Sequence, residues 1–290
     1  MSFRLPDALR LGPVRLQVTD LSQSLAFYEQ VLGMRLLART DAEVSLGAQG
    51  DARVLVVLVE KRGALPHPGR GRTGLFHFAI LLPDRPSLGR FVKHLAALGV
   101  RAGAGDHLVS EAFYLSDPDG LGIEVYADRP RDTWTMEAGE LKMATDSVDI
   151  AAVVASAGVT TWSGMPAGTV MGHVHLHVGD IDRAGAFYAD ALGFDRVVRR
   201  YPGALFMSAG GYHHHLGTNT WAGPLARAAE PHEAQLLEWT IELPSAQDVD
   251  AVAQALAQQG VAVTRAASGS ELVVRDPWGT PFRVRTIVTE

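Results

Sequence analysis

The chain has no cysteine. That excludes a disulfide framework, a thiolate metal site and a cysteine nucleophile. Any bound metal must be held by His, Asp or Glu. Basic runs are missing too. With 26 Lys and Arg against 32 Asp and Glu, the net charge is −6, and no cluster of cations is available for nucleic-acid phosphates. No apolar run reaches the ~20 residues of a membrane span. The opening residues, MSFRLPDALRLG, lack the apolar core of a secretory signal, so the cytoplasm is the expected setting. What is present is a globular composition, 47% hydrophobic and 20% charged over 290 residues. That length suits two domains or one large one.

Internal repetition organises the chain. Residues 18–33, VTDLSQSLAFYEQVLG, match 178–193, VGDIDRAGAFYADALG, in Val, Asp, Ala, Phe, Tyr, Leu and Gly at equal offsets. Each follows an alternating stretch, GPVRLQV at 12–18 and GHVHLHV at 172–178. Each reads as strand, Asp cap, amphipathic helix and terminal Gly. Strand-like runs follow at 35–40, 43–47 and 53–59, and again at 195–200, 204–208 and 212–217. A looser pair is LFHFAILLP at 75–83, with a helix near 85–98 ending in Gly99, and LLEWTIELP at 236–244, with a helix near 246–259 ending in Gly260. Both then reach an Asp-Pro turn, DPDG at 117–120 and DPWG at 276–279, before a last strand. The pattern predicts an α+β protein of four βαβββ modules. Residues 1–126 hold modules 1 and 2, residues 171–290 hold modules 3 and 4, and 127–170 is a connector with a short helix in DIAAVVASAG.

Residues 105–124, GDHLVSEAFYLSDPDGLGIE, concentrate chemistry. Phe113 to Leu115 predicts a strand and Asp117 to Gly120 a turn, because Pro presets φ and Gly takes positive φ cheaply. Ile123 to Tyr126 alternates as a half-buried strand. Tyr114 and Glu124 then share one hairpin, and a Glu facing a cavity is costly unless paired or metal-bound. Elsewhere His173, His175 and His177 alternate, so they share one face of their strand. That face lines a cavity or meets solvent.

Gly105, His107, Phe113, Tyr114, Asp117, Pro118, Gly120 and Glu124 match the signature of the extradiol ring-cleaving dioxygenases without a mismatch. The four modules resemble the vicinal oxygen chelate superfamily, which also includes glyoxalase I and the bleomycin-resistance proteins. The resemblance implies two paired half-barrel sheets curled around a metal, although fold alone does not name a reaction. In that superfamily the ligands lie on first and last strands of modules. Here Pro13 stands where module 3 has His173, Glu238 where module 2 has His77, and Arg283 where module 2 has Glu124. Only modules 2 and 3 keep a complete set: His77, His173 and Glu124. Two imidazoles, a carboxylate and open positions make the facial triad of non-haem Fe(II) oxygenases, and Mn(II) suits the same ligands. Sharing one metal requires modules 2 and 3 to close a half-barrel across the connector. Better-known two-domain members draw all three ligands from modules 3 and 4. FHFAILLP, DPDGLGIE and GHVHLHV instead resemble a bacterial catechol 2,3-dioxygenase subgroup.

The resemblance implies an Fe(II)-dependent extradiol dioxygenase that opens catechol or a substituted catechol with O2 to a 2-hydroxymuconate semialdehyde. It implies a small aromatic diol and O2 as partners, with no nucleic acid and no membrane, and leaves a homo-oligomer open. His214 in GYHHHLG (211–217) matches the family's catalytic His, with His213 and His215 as alternatives facing the other way on a strand. His107 and Tyr114 are implied as catalytic and substrate-binding groups. Trp221 and Trp239 suit an aromatic pocket wall or the core. His67, His94, His175, His177 and His232 carry no assigned role. Alternatives are a dioxygenase for hydroquinones or bicyclic catechols, a glyoxalase-like lyase, and a non-catalytic small-molecule binding protein.

Overall fold

A computed structural model describes residues 3–266 and 269–287. Two large sheets dominate. The first runs Val263–Arg265, Leu272–Arg275, Pro281–Thr286, Gln235–Leu243, Val14–Val18, Val54–Glu60, Glu43–Gly47 and Arg35–Arg39. It joins modules 4 and 1. The second runs Asp195–Val198, Ala204–Ser208, Leu216–Asn219, Val170–His177, Arg72–Leu81, Gly122–Asp128, Ser110–Ser116 and Gly103–Asp106. It joins modules 3 and 2. At each seam the first strands of two modules pair antiparallel. The seam between Arg72–Leu81 and Val170–His177 slips register on either side of His173 and His175. Such irregularities re-aim side chains.

The helices follow from local chemistry. Asp20, Asp84, Asp180 and Ser245 each accept a backbone N–H of the first turn, satisfying donors that a helix leaves unpaired. The helices Leu21–Gln30, Arg85–Leu98 and Ala246–Gln258 bury one face each. The third-module helix differs from the first despite their common sequence: Ile181–Ala184 continues as a π-helix over Gly185–Ala191. One apolar cluster unites both halves, from Leu16, Tyr28 and Trp239 to Phe78, Phe91 and Tyr188.

The repeated Phe-Tyr and Asp-Pro motifs explain one another. Tyr28 of module 1 donates its hydroxyl to Asp117 of module 2 at 3.2 Å, and Tyr188 of module 3 donates to Asp276 of module 4 at 2.9 Å. Asp117 also accepts the N–H groups of Asp119 and Leu121 at 2.9 Å. Burial pushes its carboxyl up to about 7.

Two expectations need correction, and one open alternative is decided. Residues 212–215 are not strand; the strand is Leu216–Asn219. The alternation argument for His213, His214 and His215 therefore fails, because a loop imposes no two-residue period. Trp239 is fully buried against Phe282 in the first sheet's core, away from the histidines.

Candidate metal centre and active site

Register builds the site. Tyr114 lies directly opposite Glu124 across the hairpin of Ser110–Ser116 and Gly122–Asp128. Gly122–Asp128 runs parallel to Arg72–Leu81, which carries His77. Across the seam, His77 faces His175 in register, with His173 one alternation away. His77, Glu124 and His173 are buried at 6%, 2% and 2% exposure, and their ligand atoms all lie within 4.8 Å of one another. His77 Nε2 and His173 Nε2 sit 3.0 and 3.1 Å from Glu124 Oε2.

These residues fit a divalent metal. His77 Nε2 is buried beside the carboxylate yet makes no hydrogen bond of acceptable geometry. An orphaned imidazole nitrogen aimed at a carboxylate is what a metal would satisfy. Burial would raise the Glu124 carboxyl, but His173 and His77 outweigh it and hold the group well below the ordinary carboxylate range. Burial lowers His173 to about 4, against the opposing pull of Glu124. His173 is thus set as a neutral imidazole beside an ionised Glu124, the forms that ligate. Gly172, before His173, has a packing reason: a Cβ there would collide with the Tyr126 hydroxyl.

A cavity of about 310 Å³ opens on these groups. His107, Tyr114, His214, Phe76, Phe206 and Trp221 line it. No Lys or Arg is among its lining residues. Trp221 lies edge-on to Phe76 at 5.5 Å, so a flat ring would meet aromatic walls.

Two hydrogen-bond chains set proton positions. His107 Nδ1 lies 2.7 Å from the Ala144 carbonyl, which only accepts, so Nδ1 carries hydrogen. In the neutral ring Nε2 then accepts the Tyr114 hydroxyl at 2.5 Å. Burial, then Glu124, pushes the Tyr114 phenol well above 10, so it stays protonated. In the second chain His213 Nε2 lies 2.9 Å from Asp128 Oδ1, and its Nδ1 lies 2.7 Å from His214 Nδ1. With both rings neutral, Asp128 takes the His213 Nε2–H, His213 Nδ1 takes the His214 Nδ1–H, and His214 Nε2 is left unprotonated. His214 packs 4.0 Å from His173, ring to ring. Burial, with His173 and His213 nearby, holds it well below the ordinary range for histidine, hence neutral.

Sequence reasoning missed three contributors. His213 orients His214 rather than competing with it. The connector supplies Met143, Ala144 and Thr145 to the cavity wall, and Thr145 bonds Tyr201 at 2.8 Å. His175 lines the cavity as well. Only the His alternation pointed to His175. The Ala144 contact is a backbone carbonyl and leaves no mark on residue type.

The sequence matches the Glyoxalase/Bleomycin resistance protein/Dioxygenase superfamily over residues 10–125 and 170–284, and the chain belongs to that superfamily. Within it, a Bacillus subtilis (strain 168) protein named catechol-2,3-dioxygenase is 45% identical over 270 residues, which span 92% of this chain and 93% of that one. Among solved structures, one of a dioxygenase-like protein from Bacillus subtilis subsp. subtilis superposes with TM-score 0.67 at 15% identity, covering 98% of this chain and 86% of the other. Glyoxalase I from Zea mays gives 0.55 at 16% identity, covering 96% and 92%. These two share the fold. No helix among the described residues is long and apolar enough to cross a membrane.

Proposed function

We propose that the chain is an Fe(II)-dependent extradiol dioxygenase that opens catechol, or a simply substituted catechol, with O2 to a 2-hydroxymuconate semialdehyde. The carrying observation is one cavity that joins the His77–Glu124–His173 cluster to His214 and to the Tyr114–His107 pair. The 45% identity to the Bacillus subtilis relative supports the reaction class. His77, His173 and Glu124 would hold the iron, which when bound supplies adjacent open positions for diol and dioxygen and passes electron density between them.

The surrounding groups handle protons. Tyr114 gives its own hydrogen to His107, so its oxygen faces the cavity as an acceptor. A diol hydroxyl bonded there is deprotonated as Tyr114 passes its proton to His107 Nε2. Ala144 keeps the resulting imidazolium oriented. His214 Nε2 is the second acceptor and serves as general base, later returning its proton as acid. His213 and Asp128 hold its tautomer. Phe76 and Trp221 orient the ring and exclude water.

The test is anaerobic loading with Fe(II), then catechol and air. The parent turns yellow with the ring-opened product. Glu124→Ala loses the colour by more than ~100-fold, since even outer partners of metal ligands cost 10–100-fold. Iron bound at one per chain with no product from any catechol would overturn the reaction assigned here.

A further inference from the structure

Three histidines share one face of Val170–His177, yet only His173 belongs to the metal-capable cluster. We infer that Asn219 is the positioning residue that fixes the tautomer of His175 and makes that ring a hydrogen-bond donor in the cavity wall. This deepens the dioxygenase reading and rests on it for the diol.

The Trp221 N–H donates to Asn219 Oδ1 at 3.0 Å, which settles which end of the amide is oxygen. His177 Nδ1 meets the same oxygen at 2.6 Å, so it too must carry hydrogen. The amide nitrogen therefore faces His175 Nε2, at 3.0 Å. An amide N–H only donates, so His175 Nε2 accepts. Its lone pair is spent, and the ring's hydrogen sits on Nδ1. Neither nitrogen then offers a lone pair to a metal, although the His175 ring lies 5.0 Å from that of His77. Nδ1–H has no partner among the described residues, and the ring lines the cavity. It is left to bond an anionic oxygen of a bound diol.

The fold makes room for this ring and no more. His175 pairs with Gly217 on the neighbouring parallel strand. A Cβ on Gly217 would stand 2.8 Å from His175 Cγ and 2.9 Å from Nδ1. Asn219, wholly buried, closes the other edge.

Nitrogen-15 NMR of the histidines in the metal-free chain tests the tautomer without iron or activity. His175→Gln assigns the resonance. In the parent, His175 should show a protonated Nδ1 and an unprotonated Nε2. In Asn219→Asp, whose carboxylate only accepts, the hydrogen should move to Nε2. An Nε2–H tautomer in the parent overturns the inference, whether or not Asn219→Asp folds. So does an unmoved tautomer in a folded Asn219→Asp. Failure of the parent to bind any metal would instead count against the dioxygenase reading, leaving the tautomer result to stand.

Discussion

The two half-barrels are built alike and hold opposite things. In one, His77 and Glu124 lie on parallel strands and face His173 across the seam. In the other, equivalent positions carry Glu238, Arg283 and Pro13. There Arg283 donates to Glu238 at 2.8 and 3.1 Å and to Glu271 at 2.5 Å. Arg15, at the place of His175, forks onto Glu43 at 3.1 and 2.8 Å. A carboxylate at the mouth of this sheet needs a cation. One half grows its own as a guanidinium. The other presents two imidazoles beside its carboxylate and no guanidinium, a set that could hold a cation from outside. The same topology thus makes an ion-pair network or a candidate metal centre, according to the residues at equivalent positions.

The sharpest way to break this comparison is to disable chemistry while keeping the cluster. His214→Gln should lower kcat by ~10²–10⁴ with iron content unchanged, read by turnover beside metal analysis. Removing the internal cation comes next. Arg283→Met leaves Glu238 and Glu271 without their partner and should cost roughly 2–3 kcal/mol by denaturant titration. That is below the ~3–5 kcal/mol of a fully buried pair, since a quarter of the Arg283 side chain is exposed. Iron binding and turnover should not change. Joint replacement of Arg283, Glu238 and Glu271 by apolar residues should recover most of the loss.

Smaller effects sharpen the symmetry. Tyr28→Phe and Tyr188→Phe each remove one buried hydrogen bond to an Asp-Pro turn. Each should cost about 1–2 kcal/mol, measured as a shift in unfolding midpoint. The Tyr28 change reaches the half with the candidate metal centre through Asp117, and should lower its hydrogen-exchange protection first. A last effect shows only in the pH profile. Burial holds His215 at about 3, below its ordinary 6.5. Between those values the unfolded chain binds the extra proton. The His215 contribution is therefore whole above about 6.5 and is lost as pH falls towards about 3. His215→Asn keeps an acceptor for the Ala209 N–H and should flatten the acid limb by at most ~1.4 kcal/mol per pH unit.

Much of the architecture was readable because it repeats. The strand–helix pattern returned at equal offsets, and Asp caps marked helix starts. The ligand triad emerged by asking which modules kept chelating residues at equivalent positions. The seam of modules 2 and 3 followed from that question alone, since no local pattern encodes which first strands pair. Other features had no local signal. Three consecutive histidines carry no period, so the loop at 212–215 read as strand. The His213–His214 contact exists only in three dimensions. Connector residues enter the cavity through a carbonyl and a hydroxyl, which any composition supplies. Asn219 carried no signal in the sequence, and its two ends are told apart only by the Trp221 amide.

Metal stoichiometry tests the central contrast most directly. Titrate Fe(II) anaerobically, or Co(II) in its place, into the parent, Glu124→Ala and Arg283→Met chains. One ion per chain in the parent, none held in Glu124→Ala and one in Arg283→Met is the predicted result. Two ions per chain, or an ion that survives Glu124→Ala and is lost in Arg283→Met, would contradict it.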